Sequence, residues 1–244
     1  MSRKLTITLF YTGIALFSAL ILFIAFKLRP GLTESYVPPL AVDTGRVQAV
    51  EWFEIANDLQ GINQAGEEVG LFDLRGKVWL LGQFFAVCPH CAVRNGMEMR
   101  AIYDEFRDHP DFHVVCITVD PDEDDQEKLA DYAAALGAET HNWWFLNAGD
   151  ERKTHEYLEN ELNFFAIRER TDPLDIQANG RFAHDLGLMV VNRNLEVIGK
   201  WPLADARLPE NEELDPGAYD RMKAEILERI RTELDSDADE AIED

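Results

Sequence analysis

Cys88 and Cys91 are the residues of this sequence whose type and spacing most directly predict chemistry. They enclose Pro89 and His90 and stand where an apolar run of strand length gives way to a helical pattern. The dipole and unpaired N–H groups at a helix start stabilise a thiolate, which is a nucleophile and a soft-metal ligand. Two thiols at this spacing can also close a disulfide reversibly. The motif alone leaves four roles open: a disulfide oxidant, a reductant, a peroxide-reacting thiol and half of a metal site.

The third cysteine, Cys116, has a different setting. It lies in Val-Val-Cys-Ile-Thr-Val-Asp, inside a predicted buried strand with apolar neighbours. A thiol in such surroundings usually packs as a small hydrophobe. We therefore predict that Cys116 belongs to the core.

The elements around the motif form a strand–helix–strand pattern. A continuous apolar run over 78–87 predicts a strand buried on both faces, a helical pattern runs from Cys91 to His109, and a second strand covers 112–119. The connection of about two dozen residues suits a right-handed crossover between parallel strands. The sequence therefore predicts a βαβ unit with the cysteines at the end of its first strand.

Further elements follow along the chain. Helices are predicted over 123–136, 151–162 and 215–234, and a hairpin over 186–201 turns at Asn192–Asn194 because Asn tolerates positive φ. Strand, helix, strand, helix, hairpin and helix is the order of a thioredoxin-like α/β fold, in which helices flank a central mixed sheet. Material around 140–182 is then an insertion in this fold.

A histidine is the natural third ligand if the two thiolates bind copper(I). Five of the six histidines are predicted to be solvated surface residues: His90, His109, His113, His141 and His155. His184 is the exception, because it stands just before the hairpin strand. In a thioredoxin-like fold the segment that enters this strand passes beside the thiol turn, so His184 is a candidate metal ligand.

The N-terminal segment differs physically from the rest of the chain. Residues 5–26 contain no charge, and at about 1.5 Å per residue they are long enough to span a bilayer. No small-x-small cleavage site is evident before Lys27, which favours an uncleaved anchor in contact with membrane lipid. We predict a transmembrane anchor over 1–29, a tether over 30–46, a domain over 47–234 and an acidic disordered tail over 235–244.

The net charge of −23 comes entirely from the segment after the predicted anchor. Residues 1–33 hold four Lys and Arg and no acid, whereas all 46 Asp and Glu follow. A surface this acidic repels a phosphate backbone, so nucleic acid is not an expected partner. Acidic residues do little to hinder translocation, which favours an exported C-terminal domain.

Longer stretches of the sequence, over about 65–203, resemble the Sco/SenC family. The resemblance is carried by GKVWLLGQFF, the cysteine turn, VVCITVDPDEDDQEKLADYAAAL and HDLGLMVVNRNLEVIGKW. It implies a membrane-anchored, thioredoxin-like protein that binds copper and serves assembly of the copper A centre of cytochrome c oxidase. It also implies the ligands Cys88, Cys91 and His184. The aspartate that often precedes the histidine is Ala183 here, and Asp185 follows it instead.

The cysteine motif departs from the family pattern. The family normally carries C-x-x-x-C-P, whereas this chain has C-P-H-C, whose inner dipeptide matches Dsb-type periplasmic thiol oxidases. Only about 20 residues separate the cysteines from the next strand, too few for the helical insertion of those oxidases. Residues 182–187 also lack the proline that thioredoxins and Dsb proteins place before the hairpin strand. Both features favour metal handling.

The sequence therefore predicts a copper chaperone-like protein in a bacterial cytoplasmic membrane, with its domain in the periplasm or outside. Its expected partner is a cytochrome c oxidase subunit or another copper or thiol protein with a basic surface. Two alternatives stay open. One is a thiol-disulfide oxidoreductase in which Cys88 attacks a disulfide and Cys91 resolves the intermediate, and the other is a redox or copper sensor.

Overall fold

The computed structural model describes residues 53–86 and 95–236, together with Ser18. Contacts divide the chain into two units, 1–42 and 43–244, and the description below concerns the second. The predicted anchor and tether lie outside the described residues, apart from Ser18. Among the residues that are described, no helix is long and apolar enough to cross a membrane.

A six-stranded mixed sheet forms the centre of the domain. Its strand order is β1-β10-β9-β4-β5-β6, and β4, β5 and β6 run parallel while β9 is antiparallel to β4 and to β10. Two short ribbons, β2-β3 and β7-β8, stand beside it. The strands are β1 (Phe53–Glu54), β2 (Gln60–Ile62), β3 (Glu68–Gly70), β4 (Val78–Phe84), β5 (Phe112–Thr118), β6 (Trp143–Leu146), β7 (Arg168–Glu169), β8 (Phe182–Ala183), β9 (Leu188–Val191) and β10 (Glu196–Trp201).

Helices cover both faces of this sheet. On one face the helices α1, α2 and α7 pack side chains such as Ile102, Leu129 and Ile226 against β4 and β5. On the other face Leu158 of α3 and the 3-10 turn Leu71–Leu74 close a second apolar cluster. The helices are α1 (Met97–Phe106), α2 (Gln126–Leu136), α3 (Glu151–Asn160), α4 (Pro173–Asn179), α5 (Leu203–Ala206), α6 (Pro209–Leu214) and α7 (Ala218–Asp235).

The strand directions determine where the site can form. Because β4 and β5 are parallel, their carboxyl ends at Phe84 and Thr118 meet at one edge of the sheet. Strand β9 is antiparallel to β4, with Leu81 opposite Met189, so β9 begins at the edge where β4 ends. The carboxyl end of β4 and the loop before β9 therefore lie at the same edge of the sheet, and this arrangement confirms the predicted α/β thioredoxin-like architecture.

Most predicted elements are confirmed, with shifted ends. Helix α2 begins at Gln126 rather than at residue 123, because Asp125 caps it by accepting the Lys128 N–H, and it ends at Gly137 as expected. The hairpin turn needed a correction, since the residue with positive φ is Leu195 at 65° and not one of the asparagines. Strands β1, β2, β3, β6, β7 and β8 and helices α4, α5 and α6 were not predicted. Strand β6 belongs to the central sheet, which corrects the interpretation of the whole stretch 140–182 as an insertion.

Candidate functional site

His184 lies in the loop between β8 and β9, at the edge of the sheet where β4 ends. Its Nδ1 is 2.9 Å from the backbone oxygen of Asp185, and since a carbonyl only accepts, Nδ1 carries the proton and donates. In the neutral ring the lone pair is then on Nε2. Desolvation lowers the pKa of His184 to about 4, so the imidazole is neutral at pH 7. This is the form that binds a metal ion, and the contact to a backbone carbonyl is a usual second partner of a ligating histidine.

Asp185 holds the loop that carries His184. One carboxylate oxygen accepts the Gly187 N–H at 2.7 Å and the other accepts the Phe165 N–H at 3.0 Å. The Lys200 ammonium pairs with the same carboxylate, and the two side chains are only 12% and 4% exposed. The Lys200 nitrogen also lies 4.3 Å from the centre of the Phe165 ring. These contacts fix both sides of the loop, which restricts the positions His184 can take.

Phe85 links the end of β4 to His184. The two rings pack edge to face with their centroids 5.5 Å apart. Gly180, which has a φ of +80°, lies against the same phenylalanine. A Cβ at this position would lie 2.2 Å from the Phe85 ring, so the absence of a side chain allows the segment before β8 to approach Phe85. The phenylalanine three residues before the first cysteine therefore helps to position the candidate histidine.

Asp124 anchors the last described residue before the cysteines. The Ala86 N–H donates to both of its carboxylate oxygens, at 3.1 and 3.0 Å, and the Thr118 hydroxyl donates to one of them. Burial raises the pKa of Asp124 to about 6, although the Thr118 and Ala86 hydrogen bonds oppose the shift. The carboxylate thus ties the carboxyl ends of β4 and β5 together.

Arg181 connects the insertion to the sheet. Its guanidinium is 2.8 Å from Glu151, 3.3 Å from Asp120 and 3.0 Å from Glu169. Arg181 comes directly before β8, whose residues lead into His184. The contact with Asp120 therefore joins the loop after β5 to the segment that enters the site.

Two acidic residues that follow β5 have structural roles that the sequence analysis did not assign. Asp120 and Asp124 are buried and take part in the contacts just described. A signal was present in the sequence, because both residues belong to the stretch that resembles a family segment. Lys200 was also missed, since it lies in an otherwise apolar strand pattern and only the pairing of β9 with β10 brings it near Asp185.

The structure describes one of the three predicted ligands. His184 lies at the expected edge, whereas Cys88, Cys91 and the intervening His90 are outside the described residues, so their roles remain predictions. Among the residues described, no group of three or more His, Cys, Asp or Glu side chains is arranged to hold a metal ion.

Cys116 is a core residue, as predicted. It is 1% exposed, receives the Trp143 indole N–H at 3.3 Å and lies 3.7 Å from the Met99 sulfur. Burial raises the pKa of this thiol to about 12. Cys116 is therefore a protonated packing group at neutral pH.

Two of the histidines predicted to be solvated are not. His113 is 9% exposed, and burial lowers its pKa to about 4. His155 is half-buried, with its Nε2 2.6 Å from the Val119 oxygen. His113 lines a cavity of about 320 Å³ with His109 and His141 at the opposite end of the sheet, where β5 and β6 begin. The prediction for His113 failed because β5 pairs with β6 on this side, and the prediction for His155 failed because α3 packs against the end of β5.

Comparison with known proteins gives consistent results. The family model described as SCO1/SenC matches residues 48–211. The SCO1 protein homolog of Bacillus subtilis (strain 168) is 27% identical over 107 residues, which are 43% of this chain and 51% of that protein. The match thus spans about half the length of this curated relative.

Solved structures share the fold. BsSco, described as a member of the Sco family of cytochrome c oxidase assembly proteins with an identified disulfide switch, has a TM-score of 0.57 at 18% identity, covering 76% of this chain and 95% of its own. Arabidopsis thaliana ScoI with copper bound has a TM-score of 0.55 at 15% identity, covering 73% of this chain and 99% of its own. Because the family model extends over more than half of the sequence, the chain belongs to the SCO1/SenC family.

Proposed function

We propose that this protein is a membrane-anchored copper chaperone that serves assembly of the copper A centre of cytochrome c oxidase. Membership of the SCO1/SenC family supports the proposal, as do a fold shared with a copper-bound ScoI and with a member of a family of oxidase assembly proteins. The observation that carries it is the state of His184. Its ring is neutral, its Nδ1 is committed to a backbone carbonyl, and it lies against the strand that leads to the cysteines.

In this proposal copper is the cargo. Cys88 and Cys91 supply thiolates and His184 supplies Nε2, a set of two soft donors and one imidazole that suits copper(I). Thiolates bind a metal ion and a disulfide does not, so both cysteines must be reduced before loading. Copper then passes to the recipient by exchange of these ligands for those of the partner.

Residues 5–26 would anchor the protein in a bacterial cytoplasmic membrane, with the domain in the periplasm or outside. The uncharged length of this segment supports the anchor. The excess of acidic residues in the remaining chain supports a recipient with a basic surface, because opposite charges increase the rate of encounter. Association with the recipient is then expected to slow as the salt concentration rises.

A second candidate function is thiol-disulfide exchange. The C-P-H-C motif favours it, and BsSco, which shares the fold, is described as having a disulfide switch. In this function Cys88 attacks a substrate disulfide and Cys91 resolves the mixed disulfide, so two electrons pass from the dithiol to the substrate. A sensor that signals through a partner would bind copper or change oxidation state without either transfer.

Copper titration of the reduced protein separates these functions. We expect about one equivalent of copper(I) to bind, and binding to weaken strongly in His184→Ala but not in the matched variant His141→Ala, whose side chain is exposed. Transfer to an apo copper A domain would then be measured. Absence of copper binding together with rapid reduction of a test disulfide would favour the oxidoreductase, and copper binding without transfer would favour the sensor.

A further inference from the structure

Helix α4 turns its apolar side chains toward solvent. No residue of this helix is buried, and Leu174 and Ile176 are 76% and 37% exposed. The least exposed side chains of the helix are polar: the Asn179 amide donates to the Asp175 carboxylate at 2.6 Å, and the Arg170 guanidinium lies 3.4 Å from the same carboxylate. A surface helix normally buries its apolar side. The reversed arrangement marks the outer side of α4 as an interaction surface.

Phe165 is a third exposed apolar side chain in the same stretch between α3 and β8. Its exposure is 57%, and six large apolar side chains are exposed among the described residues, of which Phe165, Leu174 and Ile176 are three. Single exposed apolar side chains are ordinary on a protein surface, whereas several in one short stretch are typical of a binding surface. We call these three residues the apolar rim.

The apolar rim borders the loop that carries His184. The Phe165 N–H donates to the carboxylate of Asp185, the neighbour of the histidine. Helix α4 ends at Gly180, which lies against Phe85, and the Phe85 ring packs on the His184 imidazole. A protein that comes close enough to exchange ligands with His184 is therefore within reach of the apolar rim.

Charge determines which occupant fits this surface. The chain carries a net charge of −23, so a second copy of the chain and an anionic lipid surface are both repelled. Two cations of the stretch, Arg170 and Arg181, are already paired with the carboxylates of Asp175 and Glu151. The complementary occupant is a protein whose apolar patch is surrounded by basic side chains.

We propose that the apolar rim is the docking surface for the copper recipient, a protein that presents an apolar patch within a basic surface. This inference rests on the proposed function. Transfer by ligand exchange requires contact between donor and recipient, and the rim adjoins the loop of the candidate ligand His184. Burial of the rim stabilises the complex, whereas the opposite charges increase the rate of encounter.

The double variant Leu174→Gln/Ile176→Gln tests this surface. Glutamine is a good helix former and α4 has no buried residue, so the stability in urea and the copper(I) affinity should match those of the wild type. The full-length, copper(I)-loaded protein in detergent micelles is mixed with the apo copper A domain of the oxidase. We expect the domain concentration for half-maximal transfer rate to rise by about 10- to 100-fold, with an unchanged maximal rate. This ratio should persist at about 0.5 M salt, because ions screen charges and not apolar contacts.

Leu214→Gln is the matched control. Leu214 is also 76% exposed, and it belongs to α6, which is bonded through Asn211 to α5 on the other face of the sheet. Its transfer kinetics should match those of the wild type. If the wild type transfers copper and the double variant has the same half-maximal concentration, the inference is wrong while the proposed function stands. If the wild type transfers no copper to the domain, the proposed function fails and the inference fails with it.

Hydrogen exchange of the full chain without the recipient tests the other occupants. We expect the amides of 173–180 to gain protection only when the apo copper A domain is added. Protection that is present without the domain and is lost on dilution would assign the apolar rim to a second copy of the chain. Protection that appears without the domain in lipid nanodiscs would assign it to the membrane surface. Either result would overturn the inference.

Discussion

The ion pair between Asp185 and Lys200 is expected to be essential for the position of His184. In Asp185→Asn the carboxylate is lost while the Lys200 ammonium, with a side chain only 12% exposed, keeps its charge in a largely buried position. Breaking a buried pair in this way costs about 3–5 kcal/mol. An Asn oxygen can still accept one of the two backbone N–H groups, from Gly187 or Phe165, which keeps the loop partly ordered. We expect the free energy of unfolding, measured with urea, to fall by this amount.

A double-mutant cycle tests the reasoning behind this value. Lys200→Met alone leaves Asp185 with two N–H donors, so its cost should be smaller, about 1–3 kcal/mol. In the double variant Lys200→Met/Asp185→Asn no ammonium remains unpaired, and it should be more stable than Asp185→Asn alone. Glu228→Gln, which removes an exposed ion pair with Arg231, is the control and should cost less than about 1 kcal/mol. If the costs of the two single substitutions simply add in the double variant, the ion pair does not stabilise the fold. The same follows if Asp185→Asn costs no more unfolding free energy than Glu228→Gln.

Three further predictions concern residues around the site. Gly180→Ala should lower the free energy of unfolding in urea by about 1–3 kcal/mol more than the control Gly149→Ala. Both glycines have positive φ, but only at Gly180 would the added Cβ collide with the Phe85 ring. Equal costs of the two substitutions would show that the contact with Phe85 is unimportant. The pKa of Asp124 is higher in the folded state than in the unfolded chain, so this residue stabilises the fold at low pH. Its stabilising contribution is lost as pH rises from about 4 to about 6. Over this range the wild type should lose up to about 3 kcal/mol of unfolding free energy relative to Asp124→Asn. Unfolding measured across this range would show parallel profiles for the two proteins if the carboxyl titrates normally. Cys116 should resist iodoacetamide in the native protein at pH 8, since its pKa is raised to about 12; mass spectrometry that finds it alkylated would contradict the buried assignment.

The central strands could be predicted from the sequence because burial on both faces leaves a continuous apolar run. Strand β4 and strand β5 are buried along their whole lengths, and their limits lie within three residues of the prediction. Helix α7 was predicted over 215–234, and the apolar residues Met222, Ile226 and Ile230, which lie on one stripe of this helix, are all buried. The local sequence pattern is sufficient to predict an element when the distribution of apolar residues within that element determines which of its residues are buried.

Long-range contacts could not be predicted in the same way. His113 has the polarity of a surface residue, and its burial follows from the pairing of β5 with β6, whose tryptophans had been assigned to no element. The partnership of Asp185 with Lys200 depends on the register of the hairpin. Leu195, an apolar residue, adopts the positive φ of the turn although asparagines were the expected choice. In each case the tertiary arrangement determines the environment of the residue.

The location of His184 could be predicted from the sequence because the order of elements places it just before the hairpin strand, whereas its role as a ligand stays a prediction. The sequence could indicate proximity to the thiol turn. Only the structure assigns the proton to Nδ1 through the Asp185 carbonyl and packs the ring against Phe85. The groups that support the histidine are spread over β4, β5, β10 and the insertion, so no short motif contains them.

X-ray absorption spectroscopy of the reduced, copper(I)-loaded protein tests the central claim most directly. We expect two sulfur ligands and one imidazole nitrogen around each copper ion in the wild type. The nitrogen should be lost in His184→Ala and retained in His141→Ala, whose side chain is exposed. A copper centre with the same ligands in the wild type and in His184→Ala would contradict the assignment of His184 as the third ligand.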